Sequence, residues 1–269
     1  MSIRSVDAAH LVLTDLDLSD CRFAGAVHLD QLRLEGRCVF DTPPSGIRRR
    51  GVVFERWTPR RTLAEEHYWR TGQGRSGWKT APGGGDVPGP TTVAPLYRQL
   101  RKSLEDGKNE PDAADFYYGE MEMRRNDPDR PRGERFLLAV YWALSGYGLR
   151  ASRAVGWLLG AMAATVLAMM LWGLAAQDMD PVSRGTVDGR RVQLTTRTPD
   201  PVDPSRPYAR RLSGDRFERS LRVVIDSVVF RSSEQGLTTA GTCIEMASRV
   251  TEPILLAFAA LSVRSRVKR

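Results

Sequence analysis

Residues 154–176 read AVGWLLGAMAATVLAMMLWGLAA, an unbroken run of 23 uncharged residues. A bilayer core needs about 20 helical residues, so this run is long enough to cross one. Trp157 and Trp172 stand near its two ends, where indole rings favour the headgroup boundary. The alternative is a buried helix of a soluble domain, but such helices are usually shorter and carry a polar face. Gly156, Gly160 and Ala164 recur at every fourth position. That small-residue stripe lets a second helix approach closely and points to a homo-oligomer. The expectation is a first transmembrane helix over 154–176.

Downstream, residues 177–219 are rich in Pro, Asp, Arg and Thr and read as an extracytoplasmic loop, partly disordered. LRVVIDSVVF, Leu221–Phe230, is too short to cross, and Arg222 and Asp226 stand at pairing distance on a helix. Residues 231–242, RSSEQGLTTAGT, are small and polar. A short helix and a polar loop over 220–242 make a re-entrant pattern, tolerated only where protein or water covers the loop. The next apolar run, Pro253–Val263, reaches span length only when extended back to Cys243. That extension takes in Glu245, Arg249 and Glu252, which share one helical face. Ionised groups at bilayer depth are costly, so this stripe should face protein or water. Residues 243–269 are then a second transmembrane helix closed by Arg264, Arg266, Lys268 and Arg269. A surface helix on soluble protein is the alternative.

Upstream of the first span, Phe136–Leu149 is uncharged and aromatic but short, and 136–153 is expected as an interfacial helix, with a third span as the alternative. Leu96–Leu104 and Ala113–Arg125 are expected as the arms of a cytoplasmic helical hairpin within 93–135, turning at Gly107–Pro111. Residues 61–92 open with a capping box, Thr62 and Glu65, on a short helix through Arg70, and continue as a Gly/Pro-rich linker over 71–90. Residues 1–60 follow a different period. Leu13, Leu18 and Phe23 recur every five residues, with Leu11, Leu16, Cys21 and Ala26 two positions earlier, until His28 breaks the series. Period five is neither helix nor strand.

Composition narrows the function. The chain has 269 residues, 41% hydrophobic and 27% charged. Its net +8 is spread as +3 over 1–153, +2 over 177–219 and +3 over 220–269, which is no nucleic-acid footprint. Cys21, Cys38 and Cys243 show no metal-ligand spacing, and their odd number argues for a reducing compartment. The first residues lack a cationic segment followed by an apolar run, so the N-terminal part is expected in the cytoplasm. Glu65-Glu66-His67 point around a helix and read as a solvated face rather than a metal site. Gly83-Gly84-Gly85 lacks the Lys of a phosphate loop, and no nucleophile motif occurs. No enzyme, cofactor or metal is expected.

LTDLDLSDCRFAGA, within residues 11–36, resembles pentapeptide-repeat proteins, whose repeats wind a four-sided β-helix. The resemblance implies that Leu13, Leu18 and Phe23 are the large inward residues, with Leu16, Cys21 and Ala26 at the smaller inward position. It covers little more than one coil, and such folds need about three stacked units, so the following segment should cap it. Residues 150–269 resemble the two-helix pore-loop domain of potassium-channel-like proteins. LYRQLRKSLEDGKNEPDAADFYYGEMEMRR resembles the connector of bacterial proteins that join the two. That resemblance makes Leu221–Phe230 a pore helix and Arg231, Ser232, Ser233 and Gly236 the filter region. Channels of this class carry a Thr-Val-Gly-Tyr-Gly-like filter, whereas this chain offers Arg-Ser-Ser-Glu-Gln-Gly-Leu.

The expected fold is therefore a mainly α membrane protein with two transmembrane helices and a re-entrant segment. A small β-helix-like N-terminal fragment and a cytoplasmic hairpin complete it. The expected protein lies in the plasma membrane as a multi-pass chain with both termini cytoplasmic, in contact with the lipid bilayer. It is an oligomeric channel homologue of weak or absent conduction. The rival is a non-conducting scaffold or sensor that binds a cytoplasmic protein partner.

Overall fold

The computed structural model describes residues 2–50, 53–84, 87–175, 182–188, 191–197, 211–228 and 237–267. The protein is mainly helical and divides into two compact units: Met1–Leu149 with Ser265–Arg269, and Arg150–Arg264.

The first unit begins with a ladder of parallel pairings. Ser2 bridges Arg22, Asp7 bridges Val27, strand β1 (Val12–Thr14) pairs with β2 (Arg33–Glu35), and Asp17 bridges Val39. Between bridges the chain turns. The N–H groups of Val6, Leu11, Cys21 and Ala26 each donate to the carbonyl three residues back. Bridging thus recurs every five residues, with the partner 20 to 22 residues on. Ile3, Ala8, Leu13, Leu18 and Phe23, one per step, are all buried. His28 lies outside this core with a left-handed φ of 55°. The next buried apolar residues are Leu29 and Leu32, and the partner spacing has lengthened.

An antiparallel hairpin follows, β3 (Ile47–Arg50) and β4 (Val53–Arg56). Helix α1 spans Ala64–Gly72. No side chain caps it, so the expected capping box does not form. Glu65 instead accepts from the N–H groups of Phe23 and Ala24, and Thr62 bonds His67. Within the stretch expected as a linker, Trp78 is buried edge-on to Trp57 and His67 at centroid distances of 5.2 and 4.7 Å.

Helix α2 spans Pro90–Asp106, with proline in its first turn where no N–H is needed. Helix α3 spans Glu110–Asn126, capped by Asn109 with Glu110 and Asp112 in its first turn. Val93, Leu96, Tyr97, Leu100, Leu104, Phe116 and Met123 share one core with the inward residues of the ladder. Phe40 joins the two halves, stacked on Phe23 and edge-on to Phe116 at 4.9 Å. The hydroxyl of Ser103 donates to the Leu32 carbonyl, fixing α2 to the ladder. Helix α4, Arg132–Ser145, packs on α3 through Trp142 and Tyr141 around Tyr118 and Tyr147.

The second unit opens with α5, Ala151–Ala168, which runs on through a π turn at Met169–Gly173. The helix starts three residues before the uncharged run and stops three residues inside its end, where Leu174 is extended and bridges Leu237. The expected loop 177–219 contains an antiparallel hairpin, β5 (Val182–Asp188) with β6 (Arg191–Arg197). It also contains the start of α6, Gly214–Val228. On α6, Arg222 pairs with Glu218 at 2.6 Å, one turn in the opposite direction from Asp226. Helix α7 spans Thr239–Val267. Among the described residues, Ala151–Gly173 and Thr239–Arg264 are long and apolar enough to cross a membrane, and the shorter α4 is not.

Candidate functional site

Three arrangements of polar groups stand out, two in the second unit and one in the first.

The end of α5 is the first. A helix ends with carbonyls that lack partners within it. Here six consecutive carbonyls are taken from outside. Arg216 of α6 donates to Met170 from Nε and Nη2 at 3.0 and 2.8 Å, and to Leu174 and Ala175 at 3.0 and 3.2 Å. Arg211 donates to Leu171 at 2.7 Å. The Thr238 hydroxyl donates to Trp172 at 2.7 Å, and its backbone N–H donates to Gly173 at 2.9 Å. Two cations at the negative end of the helix dipole are also favourable electrostatically. Gly173 and Gly241 allow the approach. A Cβ built on Gly241 would meet the carbonyl carbon and Cα of Gly173 at 2.8 and 2.9 Å. The sequence reading singled out neither the glycine pair nor Arg216.

The second arrangement is the α7 stripe. Among the described residues Gly241, Glu245, Ser248, Glu252, Leu255, Ala259 and Ser262 are its buried positions, a single face at alternating spacings of three and four. Glu252 is fully buried and Glu245 nearly so, and Arg249 pairs with Glu245 at 2.7 Å. Met246, Val250, Ile254 and Leu261 are exposed on the other side. Apart from Leu255, the helix is thus polar or small where it is covered, and it carries large apolar side chains where it is open. α5 likewise leaves Trp157, Leu159, Leu167 and Trp172 exposed. Gly156, Gly160 and Ala164 are exposed too, and among the described residues a Cβ on either glycine would touch nothing beyond the helix's own turn. The candidate filter residues Arg231, Ser232, Ser233 and Gly236 lie outside the described residues.

The third arrangement overturns the reading of Glu65-Glu66-His67 as a solvated face, since all three are buried. Arg60 Nη2 holds both Glu66 oxygens at 2.5 and 2.6 Å, Arg70 Nε donates at 2.6 Å and the Tyr97 hydroxyl at 2.5 Å. Arg70 continues to Glu122 on α3 at 3.0 Å, which Arg125 and Tyr147 also reach. The Arg70 guanidinium lies over Trp57 and Trp78 at 4.5 and 4.9 Å, a cation–π cage. Burial alone would raise the Glu66 carboxyl, but Arg60 and Arg70, with hydrogen bonds from Arg60 and Tyr97, hold it at about 2. Burial raises Glu65 against the N–H bonds from Ala24 and Phe23 that favour its charge. Burial also lowers His67, against the pull of Asp41.

Thr62, His67 and Asp41 do not form a hydrolytic triad. Both Thr62 and Asp41 face Nε2, at 2.9 and 3.6 Å, whereas a triad needs its acid on the opposite ring nitrogen. That other nitrogen accepts from the Lys79 N–H, and Thr62 is fully buried. Among the described residues, no group of three His, Cys, Asp or Glu side chains is placed to hold a metal ion.

No family model matches the chain, and no solved structure matches it. It is 36% identical over 81 residues to an uncharacterized protein of Methanocaldococcus jannaschii. That stretch is 30% of this chain, and the chain spans 17% of that protein's length.

Proposed function

We propose that the chain is a membrane-anchored scaffold that does not conduct ions. In this reading α5 and α7 hold the second unit in the bilayer, and residues 1–149 form a cytoplasmic module that binds a protein partner. The observation that carries it is the burial of the α7 stripe. In an oligomeric channel the pathway lies between subunits, so the residues lining it are open to water in each single chain. Glu252 is fully buried and Glu245 is paired with Arg249. Charged groups so placed act as glue between protein elements, leaving an apolar surface for lipid.

The five-residue bridging ladder with its inward series Ile3, Ala8, Leu13, Leu18 and Phe23 supports reading residues 2–41 as two coils of a pentapeptide-repeat-like β-helix. Two coils cannot bury a core alone, and the α2/α3 hairpin supplies the missing apolar cover. Two spans and the basic cluster at Arg264, Arg266, Lys268 and Arg269 favour cytoplasmic placement of both ends.

A second reading is the channel itself. The order span, short helix, span is what the pore-loop resemblance implies, and α6 is held to the end of α5 by Arg216. Flux into proteoliposomes separates the readings. The scaffold predicts flux of monovalent ions of either sign no higher than in empty liposomes, at both polarities of voltage. Flux above that background, altered by Glu252→Gln, would establish the channel instead.

A further inference from the structure

Helix α4 leaves one apolar face without cover. Phe136 and Leu137 are about two-thirds exposed, at 68% and 67%, and Val140 is exposed beside them. With Gly133 and Leu144 they fill an arc of roughly 100° on the helix. The opposite side is fixed to α3. The Trp142 indole donates to the Tyr118 hydroxyl at 2.8 Å, and the Arg125 guanidinium lies over the Trp142 ring at 4.3 Å. Tyr141 and Tyr147 meet edge-on at 5.8 Å. The open arc therefore cannot turn inward without breaking that packing.

We propose that the Phe136–Leu137–Val140 face of α4 docks in the plane of the phospholipid bilayer, at the boundary of headgroups and acyl chains. The inference rests on the reading that α5 spans the membrane. Two facts choose lipid as the occupant. Five residues separate the end of α4 from the start of α5. With α5 spanning, a connection of at most about 3.3–3.6 Å per residue is too short for α4 to leave the neighbourhood of the bilayer. The arc is also bordered by Arg132, which is exposed. A guanidinium there reaches headgroups while the apolar residues sink about 5–10 Å. Anionic headgroups are the complementary partner.

The test uses the full chain in vesicles of phosphatidylcholine and phosphatidylglycerol, with a thiol-reactive fluorophore at Leu137→Cys. Cys38→Ser and Cys243→Ser remove the accessible thiols. Cys21 stays unlabelled because it is fully buried and its thiol is pushed up to about 11 by that burial. Lys108→Cys, in the exposed α2/α3 turn, and Leu159→Cys, on the open face of α5, serve as references. The Leu137 probe is expected to be quenched several-fold more by a lipid nitroxide placed near the headgroup than by aqueous iodide, with the reverse at Lys108. Iodide quenching at Leu137 equal to that at Lys108 would overturn the proposal. So would shielding from both quenchers, which means cover by protein, or strongest quenching by a nitroxide at the acyl-chain end, which means a third span. If the Leu159 probe also escapes lipid quenching, the spanning reading itself has failed. If Leu159 is quenched and Leu137 is not, only the docking of α4 has.

Discussion

Arg216 holds the Met170 carbonyl with two nitrogens at once, Nε at 3.0 Å and Nη2 at 2.8 Å. The same guanidinium reaches Leu174 and Ala175, so one side chain of α6 binds the frayed end of α5. Arg216→Ala is expected to cost about 1–3 kcal/mol, the penalty for stripping partners from covered carbonyls. Arg216→Lys is expected to recover only part of it, because an ammonium lacks the planar fork. Denaturant unfolding of the detergent-solubilised protein measures both. Parent-like stability of Arg216→Ala would show that water replaces the guanidinium at no cost.

The Gly173–Gly241 contact gives a sharper geometric prediction. Any Cβ on Gly241 collides with the Gly173 backbone, so Gly241→Ala must part the ends of the two helices. Cysteines at the bridge partners Leu174 and Leu237 should form a disulfide in the parent background. They should fail to do so with Gly241→Ala. Equal cross-linking in both would contradict the close approach.

Glu65 and Glu66 are adjacent and buried, and their carboxyls are shifted in opposite directions. Glu66 sits near 2, below the ordinary 4.5, so its stabilisation is complete above about 4.5 and is lost as pH falls toward 2. Glu65 is raised, so its contribution is present when protonated and is lost as pH rises through its folded value. Glu66→Gln should therefore cost about 3–5 kcal/mol at neutral pH by leaving Arg60 and Arg70 underpaired, and should flatten the acid limb. Glu65→Gln retains an acceptor for the Phe23 and Ala24 N–H groups and should cost less than about 1 kcal/mol. Tryptophan fluorescence during unfolding reports both, through Trp57 and Trp78 beside Arg70. Equal losses would mean that the two carboxylates play the same part.

Phe23 is fully buried between the ladder and Phe40. Phe23→Ala should cost about 3–5 kcal/mol, the usual loss for a core aromatic. The loss should appear as faster proteolysis of residues 1–149 with the second unit unaffected. Digestion at the parent rate would remove the ladder from the account of that module's stability.

The two long apolar helices were legible because hydrophobic length is a local property, readable from 154–176 and from 243–263 alone. The boundaries were less so. α5 stops at Gly173 although the sequence stays apolar to Ala176, because Thr238 and Gly241 take over its backbone there. The β5/β6 hairpin went unread because the polar composition of 177–219 reads as loop, and only the Gly-first pair Gly189-Arg190 between the two segments carries a hairpin signal. Arg222 turned to Glu218 because two acids stood one turn away on either side and spacing alone does not choose. Glu66 is hidden for a deeper reason. Arg70 stands one turn along the same helix, but Arg60, Tyr97 and the Glu122 beyond them come from other elements, and sequence adjacency does not show their convergence.

The central claim is that the polar face of α7 is closed off from water, and Ser248 tests it most directly. Its hydroxyl donates to the Glu245 carbonyl one turn back, and it is buried between Glu245 and Glu252 on the same face. A cysteine there is nearly isosteric. In reconstituted protein carrying Cys38→Ser and Cys243→Ser, Ser248→Cys should resist a charged, water-soluble thiosulfonate reagent applied to both sides of the membrane. Modification at the rate of a cysteine placed at the exposed Lys108 would mean that water lines the stripe, and would contradict the account.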